Sequence, residues 1–99
     1  MKKIQFYSLM KKDNTTTAVL HNGYTDGVYN YYKSDYCGIW YAILPVNGIA
    51  FAQGYTRKEA AANAHAPETK KKLTAYLSTN NNGPALAVKF DNAIAAAGV

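Results

Sequence analysis

The stretch from residue 39 to residue 64, IWYAILPVNGIAFAQGYTRKEAAANA, decides the fold. Its first half places two apolar runs, 39–45 and 49–53, on either side of Asn47-Gly48, which is a strong short-range signal for a β-hairpin. Its second half is rich in alanine, the residue with the highest intrinsic helix propensity. The stretch therefore predicts a hairpin that leads directly into a helix.

The start of that helix is marked by a capping box. The Thr56 hydroxyl can accept a hydrogen bond from the Glu59 amide, and the Glu59 carboxylate can accept one from the Thr56 amide. We therefore expect the helix to begin at about Arg57. It should end near Ala66, because Pro67 cannot donate the amide hydrogen that an inner helical turn needs.

Two further prolines divide the C-terminal part of the chain. Pro67 suits the first turn of a second helix, because its missing amide hydrogen has no helical partner there. Pro84 opens the segment 84–97, which could form a last helix or, over residues 85–90, a strand. The region after residue 56 thus predicts two or three helices.

The hairpin itself predicts two different faces. With a two-residue turn at Asn47-Gly48, residues that lie directly opposite each other share a face. One face then carries Trp40, Leu44, Val46, Ile49, Phe51 and Tyr55, and the other carries Ile39, Tyr41, Ile43, Ala50, Ala52 and Gly54. We expect Ala60, Ala61 and Ala64 to pack on the second face, and either the C-terminal helix or another molecule to cover the first. A register shift of one residue would exchange the two faces.

Three more strands precede the hairpin. They are predicted over residues 2–10, over Thr16 to His21 and over Val28 to Lys33, with turns at residues 11–14, Asn22-Gly23 and Asp26-Gly27. Strands followed by helices are typical of an α+β fold. We therefore expect one domain over residues 1–99, an antiparallel meander of about five strands followed by two or three helices that pack on the sheet.

The composition and the motifs of the chain exclude several classes of function. The chain has 11 lysine and arginine residues against 6 acidic ones, and its single cysteine cannot form an internal disulfide. It has no apolar run of about 18 residues that could span a membrane. Its sequence contains no phosphate-binding glycine loop and suggests no pair of facing carboxylates. We expect a cytoplasmic protein with no membrane contact, catalytic residue, metal or cofactor.

Nine tyrosines in 99 residues are the unusual feature of the composition. Tyrosine is enriched at binding surfaces because its large ring carries a polar end, although the same rings also fill half-buried sheets. A positive charge at Arg57, in the first turn of a helix, is mildly unfavourable, and an acidic partner would explain it. The predicted partner contacts are Tyr29, Tyr31, Lys33, Tyr36, Trp40, Tyr55 and Arg57.

The segment from Trp40 to Asn63 resembles the hairpin and helix of HicB-type antitoxins. That family has a strand ending in proline, a glycine turn and then G-x-T-x-x-E-A-x-x-N. The matching residues here are Pro45, Gly48, Gly54, Thr56, Glu59, Ala60 and Asn63. The segment is also similar to small sheet-plus-helix modules of phage and mobile-element proteins. The resemblance implies a binding module that neutralises another protein.

These observations favour a non-enzymatic protein-binding module. Its most concrete form would be a phage or mobile-element inhibitor of the anti-CRISPR type that blocks a host nuclease complex by occupying its surface. The alternatives are a nucleic-acid-binding protein that uses sheet tyrosines and lysines, and a HicB-like antitoxin. The partner would be a protein or a nucleoprotein nuclease complex, with nucleic acid as the other candidate, and the chain would act as a monomer or a homodimer.

Overall fold

An antiparallel sheet of five strands, in the spatial order β1-β2-β3-β4-β5, is followed by three helices in the computed structural model, which describes residues 1–98. The elements are β1 (Lys2–Lys12), β2 (Thr15–Thr25), β3 (Asn30–Lys33), β4 (Trp40–Ile43), β5 (Ala50–Gly54), α1 (Arg57–Ala64), α2 (Pro67–Leu77) and α3 (Pro84–Ala97). The predicted α+β fold, a meander of strands followed by helices, is confirmed.

The β1–β2 hairpin is longer than the sequence predicts. Asp13 and Asn14 both have positive φ angles, 50° and 64°, and form the tight turn between the strands. The predicted turn at Asn22-Gly23 is wrong, because β2 continues to Thr25. Gly23 instead allows a close approach of two strands: a Cβ there would lie 2.0 Å from the Tyr31 carbonyl oxygen.

The register of the β4–β5 hairpin also differs from the prediction. Ala42 pairs with Ala52, and a bulge then lets Ile43 pair with Ala50. The Leu44 amide donates to the Ile49 carbonyl at 2.9 Å, so residues 45–48 form a four-residue turn instead of a two-residue one. Within this turn, the Asn47 side chain accepts from the Ile49 amide at 3.1 Å, and Gly48 has a φ of +74°.

This register changes which residues share a face. Trp40 now lies opposite Gly54, and Ala42 lies opposite Ala52, so large and small side chains alternate along one face instead of separating. The predicted division into a large-residue face and a small-residue face is therefore wrong. The longer turn shifts the pairing by two residues, which keeps the predicted faces. The bulge shifts it by one residue, and this exchanges the β5 residues between the faces.

Helix α1 packs on the face that carries Ala42, Leu44 and Tyr31. Ala60 and Ala64 are both 0% exposed, and a Cβ at Gly54 would lie 2.5 Å from the Ala60 amide nitrogen. The prediction that α1 packs on the face of Ile39, Tyr41 and Ile43 is wrong, although Ala52 and Gly54, two small residues assigned to that face, do lie on the side that α1 covers. Because α1 covers the face of Trp40, the prediction that α3 or another molecule covers it is wrong.

Helix α3 lies against β1 and β2 instead. This confirms the helical alternative for residues 84–97. Phe90 is 4% exposed, and a Cβ at Gly48 would lie 2.4 Å from its ring. The Leu9 amide donates to the Gly48 carbonyl at 2.8 Å, so the outer strand β1 reaches the β4–β5 turn and the sheet is curled.

Candidate binding surface

The seven residues that the sequence predicts as partner contacts occupy two different environments. Tyr29 and Tyr31 are 1% and 0% exposed, and Tyr31 pairs with Ala42 on the face that α1 covers. The prediction that these two rings contact a partner is wrong, because they belong to the core between the sheet and α1. The other five side chains remain wholly or partly accessible: Lys33, Tyr36, Trp40, Tyr55 and Arg57.

The sheet register brings three of these accessible residues together with two that the sequence did not single out. Lys33 pairs with Trp40, whose ring centroid lies 6.2 Å from that of Tyr24. The Arg57 guanidinium carbon lies 4.0 Å from the centre of the Tyr24 ring. Lys3 is the cross-strand partner of Tyr24 and therefore shares its face. We term these five residues the basic aromatic surface.

The sequence did not predict Tyr24 and Lys3 as partner contacts, because the Asn22-Gly23 dipeptide indicated a turn. A turn there would have ended β2 before Tyr24 and removed its pairing with Lys3. The signal that pointed to this surface was the charge of Arg57 at the start of α1. The structure explains that charge, since the guanidinium stacks on the Tyr24 ring.

The positive charges of the basic aromatic surface are not neutralised by neighbouring acids. Across residues 1–98 the one ion pair joins His65 and Asp26, so no described carboxylate lies within 4 Å of the Lys3, Lys33 or Arg57 nitrogens. The nearest acid along α1, Glu59, instead accepts a hydrogen bond from the Tyr55 amide at 3.3 Å. Three uncompensated cations around two aromatic rings attract an anionic ligand.

The same Glu59 contact corrects one detail of the predicted capping box. The Glu59 amide donates to the Thr56 hydroxyl at 3.0 Å, as predicted. The carboxylate, however, reaches the amide of Tyr55 and not that of Thr56. The cap still satisfies two free amides at the start of α1.

An open groove lies next to the basic aromatic surface. It has a volume of about 540 Å³ and is lined by Lys3, Ile4, Gln5, Asn22, Gly23 and Tyr24. Gln5 pairs with Asn22 across the strands, and the Gln5 Nε2 donates to the Asn22 Oδ1 at 2.9 Å. The groove therefore combines a lysine, an aromatic ring and two amide side chains.

A second group of polar residues ties the β2–β3 turn to the end of α1. We term Asp26, Tyr29, Tyr31 and His65 the Asp26 cluster. Asp26 Oδ1 accepts from the amides of Val28 and Tyr29 at 2.9 and 2.8 Å. Its Oδ2 accepts from the Tyr31 hydroxyl at 2.5 Å and lies 2.6 Å from the His65 Nε2. Asp26 thus performs the turn role that the sequence predicts and also joins the turn to α1.

These contacts determine the ionisation of Asp26. Burial by itself raises the pKa of the Asp26 carboxyl, but hydrogen bonds from Tyr31, Tyr29, His65 and Val28 outweigh it and hold this pKa well below its ordinary value. Burial and the hydrogen bond to Asp26 raise the pKa of Tyr31. The cluster therefore keeps a charged carboxylate and a neutral phenol.

Two nucleophilic side chains lie outside these two groups, Ser8 in β1 and Cys37 in the β3–β4 turn. The Ser8 hydroxyl is 2.7 Å from the His21 Nε2, and the His21 ring stacks on Tyr32 with centroids 3.7 Å apart. Burial lowers the pKa of His21. Ser8, however, is only 2% exposed, so its hydroxyl cannot meet a substrate.

Cys37 is exposed in the β3–β4 turn. Its Sγ lies 3.7 Å from the Tyr41 hydroxyl, and hydrogen bonds with Ser34 and with the Ile39 backbone lower the pKa of the thiol. No cluster of three or more histidine, cysteine, aspartate or glutamate side chains with a metal-binding arrangement occurs within the described residues.

No family model, curated protein or solved structure matches the chain, and the resemblance to HicB-type antitoxins stays a prediction. None of the helices described between residues 1 and 98 combines the length and apolar character needed to cross a bilayer.

Proposed function

We propose that this protein is a non-enzymatic binding module that holds single-stranded nucleic acid on its basic aromatic surface. The observation that supports this proposal is the arrangement of Lys3, Lys33 and Arg57 around the Tyr24 and Trp40 rings, with no carboxylate partner in the part of the chain that the structure describes. Proteins that bind single strands combine cations that contact phosphates with aromatic rings on which bases stack.

Each member of the surface has a role in this proposal. Lys3 and Lys33 lie in strands that the sheet holds in register, and they would contact phosphates. The Arg57 guanidinium lies over the Tyr24 ring and Arg57 is partly exposed, so its exposed part would contact a base or a phosphate. The partly exposed Trp40 ring would stack on a second base.

A single strand fits the chemistry better than a duplex. Reading a duplex in the major groove relies chiefly on arginine and usually on a protruding helix or ribbon. Arg57 is the one arginine in the sequence, and it is already stacked on a sheet residue. The cations instead lie along the sheet and the first turn of α1, where a flexible strand could follow them.

The proposal is non-enzymatic because Asp26, Glu59 and the buried Ser8 have structural roles. All the hydrogen bonds to Asp26 come from its own turn, Tyr31 and His65, and Glu59 caps α1. The Ser8 hydroxyl is enclosed by the sheet. These contacts give the three side chains structural roles.

A protein-binding inhibitor is the second candidate, and two exposed rings favour it. Tyr36 is 100% exposed and Tyr55 is 79% exposed. Both flank the end of the sheet where Trp40 begins β4 and pairs with Gly54. Large exposed tyrosines of this kind suit a protein interface. The phage or mobile-element inhibitor of a nuclease complex is the concrete form of this candidate.

A salt titration tests the first proposal. Binding of a fluorescent single-stranded DNA is measured by anisotropy at several salt concentrations. Three phosphate contacts predict that log Kd rises with log salt with a slope of about 2, since each contact to a single strand contributes about 0.7. Lys33→Ala and Arg57→Ala should each weaken binding and lower that slope by about 0.7.

Lys12→Ala is the matched control for charge. Lys12 ends β1, about 30 Å from Lys3 at about 3.3 Å per residue, and is also exposed. The proposal is overturned if Lys12→Ala weakens binding as much as Lys3→Ala does, or if no strand binds. The second candidate would be supported instead if the chain binds a protein partner with little dependence on salt, and if Tyr36→Ala and Tyr55→Ala lose this binding.

A further inference from the structure

We infer that the groove lined by Lys3, Gln5, Asn22 and Tyr24 holds one unstacked base of the bound strand, and that the Gln5–Asn22 amide pair contacts the edge of this base. This inference rests on the proposed function. It adds a site for the edge of one base to a surface whose other proposed contacts are to phosphates and to the faces of bases.

The groove adjoins the phosphate contacts directly. Lys3 and Tyr24 belong both to the lining of the groove and to the basic aromatic surface. A strand that places a phosphate on Lys3 therefore brings the adjoining nucleotide to the mouth of the groove. The volume of about 540 Å³ falls within the usual range for small-molecule sites and is ample for one base.

The amide pair has hydrogen-bonding capacity to spare. The bond from Gln5 Nε2 to Asn22 Oδ1 orients both side chains. It leaves Gln5 Oε1 as an acceptor and Asn22 Nδ2 as a donor, and neither has a hydrogen-bond partner among the described residues. The pair thus offers one free acceptor and one free donor to the edge of a nucleobase, which also carries donors and acceptors.

The two residues are held by the sheet and not by a loop. Gln5 and Asn22 are directly paired in the β1–β2 ladder, and both are exposed. Their replacement should therefore change recognition and not folding. The wrongly predicted turn at Asn22-Gly23 would have removed this pair, so the site exists only because β2 continues to Thr25.

Two strands distinguish base contacts from phosphate contacts. The wild-type chain is titrated with a short deoxyadenosine strand and with an abasic strand of the same length. We expect the abasic strand to bind at least about tenfold more weakly, because it cannot stack on Trp40 or contact the amide pair. The slope of log Kd against log salt should be the same for both strands.

The double variant Gln5→Ala with Asn22→Ala then isolates the amide pair. It should weaken binding of the deoxyadenosine strand by about fivefold to tenfold and leave binding of the abasic strand unchanged. Thr15→Ala, at the other end of the same hairpin, is the uncharged control and should change neither. Melting temperature is measured for each variant to show that it is folded.

The outcomes separate the two proposals. If a folded double variant binds both strands normally, the base site is overturned while the proposed function stands. If the abasic strand binds the wild-type chain as tightly as the deoxyadenosine strand does, the base site and the stacking of bases on Trp40 are both overturned, and only the phosphate contacts stand. If neither strand binds the wild-type chain, both proposals are overturned. The comparison of the two strands on the wild-type chain needs no variant to fold.

Discussion

The Asp26 cluster and the basic aromatic surface both combine charged side chains with aromatic rings, but for opposite purposes. In the cluster, one carboxylate receives four hydrogen-bond contacts and its tyrosines are buried. In the surface, three cations have no carboxylate partner among residues 1–98, and the rings of Tyr24 and Trp40 are only partly covered. Polar groups that bond to each other inside the protein, as Asp26 and Tyr31 do, stabilise it, whereas accessible cations without such a partner can bind a ligand.

The largest difference should appear in stability. Tyr31→Ala should lower the free energy of unfolding by about 3–5 kcal/mol, because it empties a fully buried site beside α1. Tyr31→Phe keeps the ring and removes the hydrogen bond to Asp26, and should cost about 1–3 kcal/mol. Urea unfolding measures both, with Tyr24→Ala as the surface counterpart. A larger loss for Tyr24→Ala than for Tyr31→Ala would contradict the comparison.

A change in stability of intermediate size should appear when the pH is lowered. The pKa of Asp26 is lower in the folded chain than its ordinary value of 3.8. The charged carboxylate therefore stabilises the fold above about pH 4, and this stabilisation is lost as the pH falls below 3.8 towards the pKa of the folded chain. Asp26→Asn should therefore be less stable than wild type at neutral pH, and the difference should shrink below about pH 4. Thermal unfolding from neutral to acidic pH measures this. If the melting temperatures of wild type and Asp26→Asn fall in parallel as the pH is lowered, the cluster does not keep the Asp26 carboxylate charged.

The smallest change in stability should come from the surface. Arg57→Ala should lower the free energy of unfolding by less than about 1 kcal/mol, because it removes only a partly exposed cation–π contact. Removal of a positive charge from the first turn of α1 also offsets part of that loss. The same variant should bind single-stranded DNA clearly more weakly. A loss of stability as large as that of Tyr31→Ala would place Arg57 among the structural residues.

Much of the fold could be predicted from local sequence signals. The capping pair of Thr56 and Glu59 placed the start of α1, and Gly54 with the following alanines indicated close packing of that helix on the sheet. The alternation of Ile4, Phe6 and Ser8 along β1 puts these side chains on one face, and there Phe6 and Ser8 are buried. These signals act between residues that are close along the chain, so the sequence displays them directly.

The candidate site was only partly predictable. Lys33, Trp40 and Arg57 were predicted as contacts and remain accessible, but Tyr29 and Tyr31 belong to the core. Exposure of a tyrosine depends on which face a helix covers, and the bulge between Ala42 and Ile43 helped to decide that face. Lys3 and Tyr24 join the site through cross-strand pairing over 21 positions, which composition cannot show.

The order of the five strands and of α1 and α2, the cap of α1 and the excess of positive charge were determined by the sequence alone. Each depends on residues within a few positions of one another or on their number. The faces of the β4–β5 hairpin, the burial of Tyr31 and the meeting of Lys3 with Arg57 across Tyr24 were decided only by the tertiary structure. They depend on register, and register is set by turns, bulges and packing that act together across the whole sheet.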